Sequence, residues 1–229
     1  MHPTLLILLA TAATASPTHR LIRRAFSFNI PASTGVVNYA APQQITGTFD
    51  GGLKTYGRSN VDCSGQSEGG EDATVFILAS GATLKNAIIG ENQAEGVYCE
   101  GSCTIESTAT ATSWSAAGGA RGASDKVIQH NGFGTVTLDG FKVQDFGALY
   151  RSCGNCDGNG EARNIVLRNV QASGGDRLVG INTNFGDKAT ITGTCATNVE
   201  EVCLAYEGTM GGGEPTEIGS CANSTLPTC

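Results

Sequence analysis

Residues 134–147 read GTVTLDGFKVQDFG: a short apolar burst, a break at Asp139-Gly140, then a second burst. Neither burst is long enough for an ordinary helix, and Gly and Asp at the break tolerate turn geometry. Similar bursts recur in ATLKNAIIG from Ala82, CTIES from Cys103, RNIVLRNVQASGG from Arg163 and ATITGTCA from Ala189. Counted from Leu84 to Ile105, Val136, Ile165 and Ile191, the steps are 21, 31, 29 and 26 residues, near the spacing of stacked parallel β-coils. Thirty-two glycines and 6% aromatic residues fit a chain of many tight corners. The expected fold is therefore all-β, a right-handed parallel β-helix (solenoid) forming a single domain. An antiparallel sandwich also has short strands, but it calls for hairpin signals such as Asn-Gly between paired runs, which are scarce here (Asn131-Gly132 is one).

The chain of 229 residues, 40% hydrophobic, is large enough for one domain with a real core. It opens with MHPTLLILLATAATA, a short apolar run ending in small residues, and LIRR at Leu21 to Arg24 follows as a dibasic site. Residues 1–16 read as a secretory signal, 17–25 as a processing segment and 26–229 as the β-helix domain. Loss of Arg20, Arg23 and Arg24 leaves 11 Lys and Arg against 21 Asp and Glu, a mature charge of about −10. Phosphate binding depends on clustered cations, so neither nucleic acid nor an anionic membrane is an expected partner. An anionic substrate needs a bridging cation.

Nine cysteines in an exported chain are most simply half-cystines with one left over. The pairs Cys99/Cys103 and Cys153/Cys156 are close enough for local bridges, although partners on adjacent coils and zinc ligation share that spacing. Asn223, in NST, is a glycosylation acceptor by pattern.

The stretch FGALYRSCGNC, residues 146–156, ends an apolar run in a lone cation and follows it with two cysteines. Together with SGQSEGGEDATVFIL, GATLKNAIIG, AEGVYCEGSCTIE, GGARGASDKVIQHNG, LVGIN and ITGTCA, it resembles the secreted pectate lyases of polysaccharide lyase family three, in the same order from about Phe49 to Cys203. That resemblance implies calcium-dependent cleavage of (1→4)-α-D-galacturonan in pectin by β-elimination, with the polygalacturonate polymer as partner and a monomer as the expected state. A base removes the C5 proton beside the sugar carboxylate and the C4 oxygen leaves. Neutralising the carboxylate assists that loss, and calcium, a hard cation taking oxygen ligands, does so in the family.

The resemblance implies that Arg151 is the base, that Lys126 in SDKVIQH is a second catalytic and substrate-binding cation in the cleft, and that Glu95 in AEGVYC is the surviving calcium ligand. Asp125 alternates with Lys126 and is expected to face away from it, while His130 is expected to be a polar residue at a coil edge. Two positions depart from the family. Ala148 stands where a lysine is usual, and residues 107–117, low in complexity and free of carboxylates, replace an acidic coil that supplies calcium ligands. A pectate-binding relative that does not cut its ligand is the alternative reading.

Overall fold

The computed structural model describes residues 31–61, 71–90, 93, 95–106, 119–123, 125–221 and 226–229. The expected signal, processing segment, Cys63, residues 107–117 and Asn223 lie outside them. In chain order the strands are β1 (Val36–Tyr39), β2 (Gln43–Ile45), β3 (Thr48–Asp50), β4 (Thr55–Arg58), β5 (Thr74–Leu78) and β6 (Thr83–Lys85). Then come β7 (Ile88–Ile89), β8 (Glu95–Cys99), β9 (Cys103–Glu106), β10 (Gly119–Arg121), β11 (Lys126–His130) and β12 (Gly134–Asp139). Next are β13 (Lys142–Ser152), β14 (Arg163–Arg168), β15 (Gln171–Asn182), β16 (Ala189–Thr192), β17 (Cys195–Glu207) and β18 (Thr216–Ser220).

Successive coils stack strand on strand. One sheet follows the order β16-β14-β12-β9-β6-β3. The other runs β1-β4-β7-β10-β13 and returns through β13-β11-β8-β5-β2, with β15 and β17 continuing it. Pairing is parallel until β18, which runs antiparallel to β17 and ends the stack. The two arms join because β13 serves both: Lys142 to Gln144 pair with β10, and Ala148 to Ser152 pair with β11. Asp145 makes the corner between them with φ of +53°. Level with it on neighbouring coils, Gly122, Gly174 and Asn198 also have positive φ, at +73°, +65° and +52°. That left-handed conformation suits Gly, Asn and Asp and penalises other residues, which is why those types interrupt the apolar bursts.

The interior is filled by like residues stacked in register. Phe76, Val97, Ile128, Tyr150, Val179 and Cys203 form one buried ladder, and Leu84, Ile105, Leu138, Leu167 and Ile191 line the facing sheet. The register corrects the expected repeat. Ile105 lies opposite Leu138 rather than Val136, and Ile191 opposite Leu167 rather than Ile165. Each slip is two residues, which preserves the side facing the core and so left the coil pattern legible. At the first coils Tyr39, Phe49, Tyr56 and Phe76 cluster, with centroids 5.1 Å apart for Tyr56 and Phe76.

Four disulfides join Cys99 to Cys103, Cys153 to Cys156, Cys195 to Cys229 and Cys203 to Cys221. One expectation holds in part and one fails. His130 ends β11, at a coil edge as expected, but it is fully buried, its Nδ1 2.7 Å from the Tyr150 hydroxyl on the next coil. Asp125 does not face away from Lys126, since its Oδ2 is 2.5 Å from Nζ. Asp125 precedes β11 in a bend, where the alternation of strand side chains does not operate.

Candidate active site

The strands β8, β11, β13, β15 and β17 form a continuous sheet, and two ladders across it carry the charged residues. The first holds Tyr98, Gln129, Arg151, Gly180 and Leu204. The second holds Thr74, Glu95, Lys126, Ala148, Arg177 and Glu201; Lys126 falls level with Glu95 when the pairing of Ile128 with Val97 is continued. Three cations 25 and 26 residues apart in sequence, Lys126, Arg151 and Arg177, are thereby brought to adjacent coils.

Arg151 occupies a built seat. Its guanidinium lies over the Tyr206 ring, 3.9 Å from the centroid. Its Nη1 donates to the Asn182 side-chain oxygen at 3.0 Å and to the Ser152 carbonyl at 2.8 Å. The seat exists because two neighbours lack side chains: a Cβ on Gly180 would stand 2.8 Å from the Arg151 Cδ, and one on Gly154 would stand 2.6 Å from Nη2. Burial pulls the Arg151 pKa below its ordinary value, opposed by Tyr206; the like charge of Arg177 lowers it further, and Asp187 and Tyr150 act upward.

The support beneath is polar and fully paired. Asp187 accepts from the Ser152 hydroxyl at 2.6 Å and from the backbone N–H groups of Asn182 at 2.9 Å and Arg163 at 2.8 Å. Asn182 in turn donates to the Ser152 hydroxyl oxygen and the Cys153 carbonyl, each at 2.9 Å. The end of β13, the Cys153–Cys156 turn and the end of β15 are thus tied together around Arg151. A network satisfied in this way rigidifies the side chain it holds.

The other cations are placed differently. Lys126 has a side chain only 11% exposed and is held by Asp125. Arg177 is half-buried and donates from Nη1 to the Tyr206 hydroxyl, while its Nε has no hydrogen-bond partner. Ala148, between them on the ladder, is buried. Sequence reading missed Arg177, Tyr206, Asn182 and Asp187. Only Arg177 left a usable signal, because it precedes LVGIN and falls one coil beyond Ala148 once the register is known.

Among the described residues there is no group of three or more His, Cys, Asp or Glu placed to hold a metal ion. Glu95 and Glu201 stand toward opposite ends of the ladder, and Asp125 is engaged by Lys126. Calcium takes 6–8 oxygen ligands, so these carboxylates by themselves do not fit it.

Known proteins resemble the chain over most of its length. A family model described as pectate lyase matches residues 27–212. The chain is 53% identical over 224 residues to "Probable pectate lyase E" of Aspergillus fumigatus, covering 90% of this chain and 87% of that protein. It is 51% identical over 224 residues to "Pectate lyase E" of Emericella nidulans, with the same coverage. Among solved structures, pectate lyase PelI from Erwinia chrysanthemi in complex with tetragalacturonic acid superposes with a TM-score of 0.58 at 26% identity, over 85% of this chain and 67% of that one. With a matching family model over most of its length and relatives at half identity, the chain belongs to the pectate lyase family.

Proposed function

We propose that the protein cleaves polygalacturonate by β-elimination and that Arg151 is the base. The observation carrying this reading is the Arg151 seat, in which burial and a second guanidinium favour the neutral form while three fixed partners hold the side chain against the face. The neutral guanidine takes the C5 proton. The electron pair released from C5–H forms the C4=C5 double bond, the C4–O4 bond breaks, and its pair stays on O4, which is protonated by solvent. Lys126, on the neighbouring strand, pairs with a uronate carboxylate and so stabilises negative charge developing beside C5. The bound tetragalacturonic acid of the PelI structure supports an oligouronate as ligand.

Calcium dependence is proposed from family membership alone, with Glu95 the carboxylate that the described ladder would contribute. The disulfides fit an oxidising compartment, and with the leader-like segment they support export. The protein is proposed to act as a monomer on pectin outside the cell.

The test follows the absorbance of the 4,5-unsaturated product from polygalacturonate, with and without chelator. Product that disappears in Arg151→Ala, and a rate that falls with chelator, are expected. Chelator-resistant product would remove calcium from the account. The lack of a carboxylate cluster among the described residues favours a second reading, binding without cleavage; retained pectate binding with no product at any calcium level would establish it.

A further inference from the structure

Arg177 has fewer protein contacts than its burial calls for. Nη1 serves Tyr206, Nε is covered and has no acceptor, and no carboxylate among the described residues pairs with it, although Glu201 is level with it on β17 and Asp176 precedes it. Because Nε is covered, an incoming group meets the guanidinium at its Nη nitrogens, of which Nη2 has no partner among the described residues. The planar guanidinium is also the side chain best suited to a carboxylate, which it can grip with two parallel N–H bonds.

Its place on the face is equally specific. Ala148 leaves a gap in the ladder, with Lys126 on one side and Arg177 on the other. Adjacent strands lie about 4.8 Å apart, so these two positions are separated by roughly 10 Å along the solenoid axis. Arg151 projects from the neighbouring ladder, between them in coil order. Tyr206 links the two arginines, its ring under Arg151 and its hydroxyl accepting from Arg177.

We propose that Arg177 binds a carboxylate of the polyuronate, in the subsite beside the one where Arg151 acts, and that Tyr206 is the positioning residue holding the two guanidinium groups apart. The inference rests on the pectate reading above and adds a subsite residue to it. A polymer laid along the axis presents its carboxylates in series, and Lys126 and Arg177 take two of them on either side of the buried Ala148 methyl group.

The experiment compares wild type with Arg177→Ala, Arg177→Lys and Tyr206→Phe on polygalacturonate and on partially methyl-esterified pectin. A charge-assisted contact of ordinary strength corresponds to a rise in KM of about tenfold or more in Arg177→Ala, with Lys recovering part of the loss; kcat at a fixed pH should fall as well, because the like charge that lowers the Arg151 pKa is gone. The defect should shrink on the esterified substrate, which offers fewer carboxylates. Oligogalacturonate titrated calorimetrically into Arg151→Ala and Arg151→Ala/Arg177→Ala should bind more weakly to the double variant by the same factor. Tyr206→Phe, which keeps the ring under Arg151, should reproduce part of the KM effect. An active wild type with KM and oligogalacturonate binding unaltered in Arg177→Ala overturns the inference alone, whatever kcat does. A wild type that neither cleaves nor binds overturns the pectate reading with it.

Discussion

Arg151 shows how much of a site can depend on atoms that are missing. The guanidinium lies against Tyr206 only because positions 154 and 180 are glycine. Gly180→Ala should push the side chain outward by about an ångström and lower kcat on polygalacturonate by about a hundredfold, since a misplacement of that size costs roughly 10²-fold. The melting temperature should barely move, and activity at the wild-type level would show that the seat does not matter. As the proposed base, Arg151 must be neutral to act, so kcat/KM should climb toward alkaline pH, by up to about tenfold per pH unit. A profile flat above neutrality would argue for another base. His130 works in the opposite pH direction. Burial, with the charge of Arg163 adding and the Gly101 backbone opposing, lowers its pKa from 6.5 to about 4. The folded state therefore holds fewer protons than the unfolded one between those values. Stability is complete above about pH 6.5 and is lost as pH falls toward 4, by about 3 kcal/mol. Urea unfolding of wild type and His130→Gln at pH 7.5 and 4.5 should show a steeper loss in wild type.

Strands and their covalent ties divide the labour unevenly. The Cys99–Cys103 and Cys153–Cys156 bridges close separations of 4 and 3 residues, whereas Cys203–Cys221 and Cys195–Cys229 close 18 and 34. Loop-closure entropy assigns the longer pair about 3 to 4 kcal/mol each and the shorter pair about 2 or less. Replacing Cys203 and Cys221 by Ala should accordingly lower stability more than replacing Cys99 and Cys103, as read by chemical denaturation. The short Cys153–Cys156 bridge has a different task, locking the turn after β13 beside Arg151. Its loss should show in activity before it shows in stability.

The whole molecule is a stack whose ends need protection. β17 is long, spanning Cys195–Glu207, and its outer edge is covered by antiparallel β18 and by the C-terminal segment, where Ala196 N–H donates to the Pro227 carbonyl at 3.0 Å. A chain ending at residue 215 uncovers that edge and loses two disulfides, and open strand edges recruit other chains. Light scattering should report aggregation of the truncated protein at concentrations where the full chain stays dispersed. The acidic balance of 14 Lys and Arg against 21 Asp and Glu makes a sheet that carries Lys126, Arg151 and Arg177 on successive strands an exception to the chain as a whole.

The solenoid was legible in the order of residues because each coil solves the same local problem. Apolar bursts such as TVTLD bury one side of a strand, and Gly, Asn or Asp must follow wherever the backbone turns left-handed. The slips at Ile105 and Leu167 were invisible to that reading, since a shift of two residues leaves the core-facing pattern intact. Lys126, Arg151 and Glu95 were named from resemblance, and the register puts them on three successive strands of one sheet. Burial of His130 and the contact of Asp125 with Lys126 could not be read in advance, because they depend on the neighbouring coil and on a bend. Arg177 and Tyr206 belong to the same class. They lie 26 and 55 positions from Arg151, and what joins them is the register between coils, a quantity set by packing across the stack rather than by any local run of residues.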